Sequence, residues 1–166
     1  MTELDLDSRI GRPTSEGVVT VERATVTAFA ASVLDDSPLY RNRDAAVAAG
    51  FRDLPAPPTY FFSAAQNWGQ WEEEQPPDPT GGSNPMAEVM GTLLATGGLI
   101  LHGEQEFTFH RDVVVGDKLH QRGVVKDIYT KQSGDRTMTF MVIETTYTDD
   151  AGDPVVTSTM NLLHRS

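Results

Sequence analysis

The segment Arg136–Thr148, with the sequence RTMTFMVIETTYT, decides the fold, because β-branched and aromatic residues fill most of its positions. This composition predicts a β-strand. Two short segments flank it, Ser-Gly-Asp at 133–135 and Asp-Asp-Ala-Gly-Asp at 149–153, and each contains a glycine suited to a hairpin loop. Antiparallel strands are therefore predicted on both sides, over 118–128 and 155–163.

A further strand is predicted from Leu99, where the sequence begins to alternate. Polar residues occupy every second position from 102 to 110: His102, Glu104, Glu106, Thr108 and His110. Successive side chains of a strand point to opposite faces, so the alternation predicts that these five share one face. The two histidines then lie about 26 Å apart, too far to share one metal ion within a chain.

The first third of the chain predicts a strand and a helix after a polar lead-in over 1–16. Valines at 18, 19 and 21 indicate a short strand. Apolar residues at helical spacing over 22–34 predict an amphipathic helix, which ends at Asp-Asp-Ser-Pro over 35–38.

Two more helices are predicted before the strands. Asp44 is suited to cap a short helix that runs to residue 49. Prolines at 55, 57 and 58 prevent regular structure there, but a proline favours the first turn of a helix, so an apolar helix is predicted from Pro58 or Thr59 to about Trp68. An acidic, proline- and glycine-rich excursion follows, and with the mixed apolar segment after it spans about 68–98.

Helices that precede a run of antiparallel strands indicate a layered α+β fold, with the apolar helix lying on the sheet. The length of 166 residues suits one domain, which we assign to 17–166. The net charge of −11 argues against nucleic-acid or anionic-membrane binding, and the absence of cysteine excludes thiolate zinc sites and a cysteine nucleophile. The acidic N-terminus has no apolar signal region, so a cytoplasmic protein is expected.

Three motifs in order resemble the MaoC-like dehydratases, in particular their N-terminal-type half, the FAS1-like dehydratase domain. The motifs are LDDSPLY at 34–40 with DAA at 44–46, APPTY at 56–60, and the segment from Leu101 to Leu119 that contains FTFHR and VGDKL. The resemblance extends over roughly 16–165. It implies a hotdog fold, in which an antiparallel sheet wraps a long central helix and two such units pair into a double hotdog.

The resemblance also implies a chemistry. In catalytic members an Asp and a His, five residues apart on the first motif, bind a water and move a proton at the Cα of an acyl thioester. Backbone N–H groups at the start of the central helix stabilise the enolate oxygen. Here Asp35 occupies the aspartate position and Tyr40 stands where the histidine belongs. Pro58 has no N–H, so the oxyanion contact falls to Thr59 or Tyr60.

Other candidate residues surround these loops. His102, beside Gly103 and Glu104 on the strand, is a candidate pocket residue because a strand glycine permits close approach of a ligand. Arg41, Arg43 and Arg52 flank the loops and are candidates to hold the phosphates of coenzyme A. No metal and no cofactor is expected, and coenzyme A enters only as the thioester substrate.

The leading hypothesis is a subunit of an (R)-type 3-hydroxyacyl-thioester dehydratase, or enoyl-CoA hydratase, that binds acyl-CoA or a related thioester beside a catalytic MaoC-like partner. Alternatives are a self-sufficient hydratase that uses Asp35 with His102, a non-enzymatic acyl-CoA-binding homodimer, and a thioesterase on fold grounds alone. The partner is expected to be a second hotdog, identical or different.

Overall fold

One five-stranded antiparallel sheet organises the chain in a computed structural model that describes residues 5–166. The strands are, in chain order, β1 (Pro13–Thr20), β2 (Leu99–Phe109), β3 (Lys118–Ser133), β4 (Arg136–Thr148) and β5 (Pro154–Arg165). Their spatial order is β1-β3-β4-β5-β2. The two hairpins predicted around β4 are confirmed, as is the α+β class.

The two strands of the third motif are neighbours in the chain but not in the sheet, because β2 pairs with β5 and not with β3. The edge of β3 away from β4 is taken by β1, and the segment between β2 and β3 crosses to the far side of the sheet. This crossing segment, residues 110–117, is too long for a tight hairpin loop.

The strand β1 begins at Pro13, five residues before the predicted valine run. Its first residues pair with β3, and the register shifts between Pro13 and Ser15. No pattern of side chains in the sequence indicates this early start. Residues 13–16 of the predicted lead-in are thus strand, and residues 1–4 lie outside the described part. The excursion covers the open edge of β1: the Gln75 amide accepts from the Val18 N–H at 3.0 Å and donates to the Val18 carbonyl at 2.9 Å.

Four helices precede or follow the excursion: α1 (Arg23–Ser32), α2 (Arg43–Ala48), α3 (Tyr60–Asn67) and α4 (Pro85–Leu94). The cap of α2 is Asn42 rather than the predicted Asp44, since the Asn42 side chain accepts from the Ala45 N–H at 3.1 Å. No helix within residues 5–166 combines the length and the apolar character needed to cross a membrane.

The central helix α3 lies where it was predicted, but its eight residues correct the expectation of a long helix. The chain leaves the helix at Gly69, whose φ of +70° suits glycine. The Gly69 carbonyl accepts from the Thr20 N–H at 2.7 Å, and a Cβ at this glycine would collide with the Thr20 carbonyl. This close contact holds the chain after α3 against the end of β1.

The short α3 leaves the core in two separate clusters on the helix-covered side of the sheet. The first cluster packs α1 and α3 on the sheet and contains Phe29, Tyr60, Phe61 and Tyr147. The second lies under α4 and contains Val89, Met90, Val125 and Met141. Burial of side chains of this size supplies most of the stability, at about 1.5–3 kcal/mol each.

Candidate functional site

The candidate catalytic loop follows directly from the way α1 ends. Leu34 adopts a left-handed conformation with φ 59°, and its N–H donates to the Ala31 carbonyl while the Asp35 N–H donates to the Ala30 carbonyl. This is the Schellman arrangement, in which a left-handed residue ends the helix. It turns Asp35 back toward α1, where its carboxylate accepts from the Ser37 N–H at 2.9 Å.

Tyr40 lies beside this aspartate, half-buried in a single helical turn after Pro38. Burial, and after it the nearby Asp35 carboxylate, raises the pKa of Tyr40. Its hydroxyl is therefore protonated near pH 7 and can donate a hydrogen bond but cannot act as a base. The two side chains line a notch of about 60 Å³ between α1 and the loop. A notch of this size holds a few waters, not a thioester.

The backbone at the start of α3 leaves one of the two N–H groups predicted to bind the oxyanion. Tyr60 is buried, and its N–H donates to the Pro57 carbonyl at 2.9 Å, so that amide is already used. Pro58 and Thr59 are exposed in the turn before the helix. Of the two amides predicted, Thr59 is the one with no acceptor among the residues that the structure describes.

The candidate phosphate-binding arginines are each paired with a carboxylate of this chain. Arg41 contacts Asp36 at 3.1 Å, Arg43 contacts Asp53 at 3.1 Å, and Arg52 contacts Asp117. The first two pairs are exposed and therefore weak, so a phosphate could displace the carboxylate. Asp53 also accepts from the Leu54 N–H, and this bond, followed by the pairing with Arg43, lowers the pKa of Asp53.

The predicted shared face of His102 and Glu104 is wrong, because Gly103 forms a bulge. His102 pairs with Leu162 and Glu104 with Asn161, so the two side chains oppose neighbouring residues of β5 and point to opposite faces. His102 lies on the helix-covered face, where its ring meets Phe62 of α3 edge-on at 5.2 Å. Glu104 lies on the other face and accepts from the Asn161 amide at 2.7 Å.

The structure thus brings Asp35 and Tyr40 together but gives them no contact with His102 among the described residues. Within the same residues, no group of three His, Asp or Glu side chains is arranged to hold a metal ion. The catalytic and binding roles assigned to these side chains stay predictions.

Sequence reasoning missed the anchoring role of Asp117, a carboxylate that is only 5% exposed. It pairs with Arg52 and Arg111 and accepts from the Val114 N–H at 2.9 Å. In the sequence, only the Gly-Asp pair of the third motif pointed to Asp117. Its partner Arg52 is 65 residues away in the chain, so no local pattern could indicate that the two side chains pair.

Comparisons with known proteins agree with this architecture. The model of the FAS1-like, dehydratase domain region matches residues 8–158. A UPF0336 protein of Parafrankia sp. (strain EAN1pec) is 32% identical over 157 residues, covering 94% of this chain and 91% of that protein. The ChsH1-ChsH2 complex from Mycobacterium tuberculosis superposes with a TM-score of 0.71 at 19% identity, over 91% of this chain and 83% of that chain.

A second solved structure is the C-terminally truncated HadBC (3R-hydroxyacyl-ACP dehydratase) complex from Mycobacterium tuberculosis. It superposes with a TM-score of 0.63 at 22% identity, over 92% of this chain and 96% of that chain. At such identities the solved structures show the fold alone, whereas the family model and the curated relative each extend over most of the sequence. The chain therefore has the hotdog fold and belongs to the family of the FAS1-like, dehydratase domain region.

Proposed function

We propose that this chain is the acyl-binding subunit of an (R)-type 3-hydroxyacyl-thioester dehydratase, working in either direction between a 3-hydroxyacyl and an enoyl thioester. The catalytic Asp and His would come from a second, partner hotdog. One observation carries the proposal: Tyr40 occupies the position of the base, and burial and Asp35 both raise its pKa. A base must accept a proton near pH 7, which this tyrosine does not do.

Two further observations support a partner. The notch beside Asp35 is about 60 Å³, so a thioester needs additional walls from outside this chain. The solved structures with the same fold include two complexes, ChsH1-ChsH2 and HadBC, the latter a 3R-hydroxyacyl-ACP dehydratase.

Within the complex, this chain's residues would bind and orient. The exposed Thr59 N–H, at the positive end of the α3 dipole, would donate to the thioester carbonyl oxygen. The protonated Tyr40 hydroxyl would donate a second hydrogen bond. Arg41 and Arg43 would exchange their carboxylates for phosphate groups if the carrier is coenzyme A.

The test is hydratase activity on crotonyl-CoA, measured with the chain alone and after co-expression with a MaoC-like subunit whose loop has an intact Asp and His. We expect activity only from the co-purified pair. Tyr40→Phe in the pair should lower activity by at most about tenfold, which is the worth of one hydrogen bond. Replacement of the partner's loop histidine by alanine should abolish the activity of the pair.

Other outcomes would select the alternatives. Activity of the chain alone that is lost in both Asp35→Asn and His102→Ala would establish a self-sufficient hydratase. Tight acyl-CoA binding without turnover in either preparation would establish a binding module, and release of free thiol would establish a thioesterase. Loss of all activity in Tyr40→Phe, with unchanged folding, would make Tyr40 a proton carrier and contradict the accessory role.

A further inference from the structure

The face of the sheet that points away from the helices carries an apolar row near the β3–β4 hairpin. Strand register places four side chains side by side across the sheet: Tyr129, Phe140, Leu163 and Leu101. The residues next to them in the strands pack in the cluster under α4, so the row itself points the other way. Leu101 is exposed and the other three are half-buried, which leaves apolar surface open at this end of the sheet.

Three basic side chains surround this row. Lys131 and Arg165 lie in the next row, each opposite Met138, and Arg136 precedes Met138 by two residues on the same face. The Lys131 ammonium lies 5.2 and 5.3 Å from the centroids of the two aromatic rings of the row. None of the three cations forms an ion pair within residues 5–166, whereas most other Lys and Arg side chains there do. We call the row and its three cations the cationic patch.

The charge of the cationic patch restricts what can bind there. Two copies that met patch to patch would place the same three cations against one another, and like charges in a contact cost free energy. Asp127 and Asp135 border the patch, but neither pairs with a cation among the residues that the structure describes. A partner that fits must therefore offer exposed carboxylates beside an exposed apolar side chain.

The excursion of this same chain offers that combination over residues 71–74, which we call the acidic turn. Trp71 is 51% exposed, and Glu72 and Glu73 are exposed and form no ion pair with any described residue. The turn is held in place, because Gln75, which binds the edge of β1, also donates to the Trp71 carbonyl at 3.0 Å. A preformed turn loses little conformational freedom when it binds.

The acidic turn and the cationic patch lie at opposite ends of β3. Glu74 pairs at 3.0 Å with Lys118, the first residue of the strand, whereas Lys131 lies near its last residue. The strand has 16 residues and is about 50 Å long at about 3.3 Å per residue. The turn of one copy can therefore reach only the patch of another copy, in a head-to-tail contact rather than a symmetric one.

We propose that the cationic patch of one copy binds the acidic turn of a second copy. Trp71 packs on the apolar row, and Glu72 and Glu73 pair with the cations around it. Exposed ion pairs are individually weak, so the contact forms at concentrations well above those at which hotdog units pair, and it joins such pairs into larger assemblies. The contact uses no residue of the candidate site, so it is independent of the proposed function.

The test is the mass of the purified chain in sedimentation equilibrium at about 5 µM and at about 300 µM. We expect the mass at the higher concentration to be at least about twice that at the lower one. Arg165→Glu in the patch and Glu73→Arg in the turn should each raise the dissociation constant of the larger assembly at least about tenfold. Arg23→Glu is the matched control. It makes the same charge change as Arg165→Glu at an exposed arginine of α1, in a loose pair with Asp53 at 3.7 Å, and should retain the assembly.

A mixture of the two variants identifies the head-to-tail contact. Glu73→Arg keeps an intact patch and Arg165→Glu keeps an intact turn, so the mixture should associate although neither variant does so alone. Misfolding or general charge repulsion cannot produce this restoration. A wild-type mass that is equal at both concentrations would overturn the inference, and so would a mixture that stays unassociated. Loss of association in Arg165→Glu but not in Glu73→Arg would also overturn it, because the patch would then bind a different acidic surface.

Discussion

Asp117 is a buried residue that joins the segment after α2 to the segment between β2 and β3. Its buried carboxylate receives hydrogen bonds from Arg111, from the Val114 N–H and from Arg52, which follows α2. Burial alone would raise the pKa of Asp117, but the bonds from Arg111 and Val114 outweigh it, so the pKa is lowered from 3.8. The folded chain therefore prefers the ionised carboxylate.

We expect Asp117→Asn to lower the free energy of unfolding at pH 7 by about 2 kcal/mol, because hydrogen bonds to a charged group are lost. A lowered folded pKa gives stability that is present above the ordinary aspartate pKa and is lost as pH falls through the folded value. The difference between wild type and variant should therefore shrink below about pH 4. Urea unfolding across pH measures it.

The matched control for this measurement is Asp36→Asn. The Asp36 side chain is fully exposed in its pair with Arg41, and exposed pairs contribute little. An equal loss of stability in both variants, or a difference independent of pH, would contradict the role of Asp117.

At the scale of elements, α1 ends on a residue that is poorly suited to its backbone conformation. Leu34 has φ 59° and its side chain is 88% exposed, yet it occupies the Schellman position that glycine favours. A left-handed conformation costs a residue with a Cβ about 1–2 kcal/mol. Strain of this kind clusters at functional loops, and this one directly precedes Asp35.

Leu34→Gly should raise the free energy of unfolding by about 1 kcal/mol, because glycine adopts this conformation without strain. Leu34→Ala keeps the Cβ and removes most of the exposed apolar surface, so it should change stability little. Chemical denaturation of the wild type and the two variants distinguishes relief of backbone strain from removal of exposed apolar surface. A gain in the alanine variant as large as in the glycine variant would assign the effect to exposed apolar surface instead.

At the scale of the whole molecule, the sheet ends in an open edge at β2 with exposed apolar side chains near it. Strand β2 pairs only with β5 within the described residues, so its other edge offers unpaired backbone groups. Apolar side chains exposed by 41–47% lie on β2 and on the helices α3 and α4: Leu99, Leu101 and Phe109, Phe62, and Leu94. A long edge strand with apolar side chains is a site for pairing with another chain.

We expect the protein to sediment as a dimer, either with itself or with a co-expressed hotdog partner. Leu101→Lys should weaken the dimer at least tenfold, because it buries a charge in the contact. Val47→Lys changes an equally exposed valine on α2 and should have no effect. A monomer in sedimentation velocity at micromolar concentration, with and without the partner, would contradict this prediction.

The candidate site was only partly predictable from its residues. The substitution of tyrosine for histidine at position 40 is visible in the motif, and the structure adds that burial and Asp35 keep this tyrosine protonated. The predicted face shared by His102 and Glu104 failed because alternation assumes an uninterrupted strand, whereas Gly103 adds one residue to it. Asn42 rather than Asp44 caps α2 because capping depends on where the first turn begins.

The sequence by itself determined the α+β class, the hairpins around β4, the position of the central helix and the family motifs. These features depend on neighbouring residues, through alternation, turn glycines and prolines, and so can be inferred locally. Only the tertiary structure decided that β2 lies beside β5, that α3 is short, and that Thr14, Ser15 and Thr145 meet over Gly123. The physical reason is that strand pairing brings together residues that are distant in the chain, such as Leu99 with Arg165 and Ser15 with Gly123, and no local preference specifies which of them share a face.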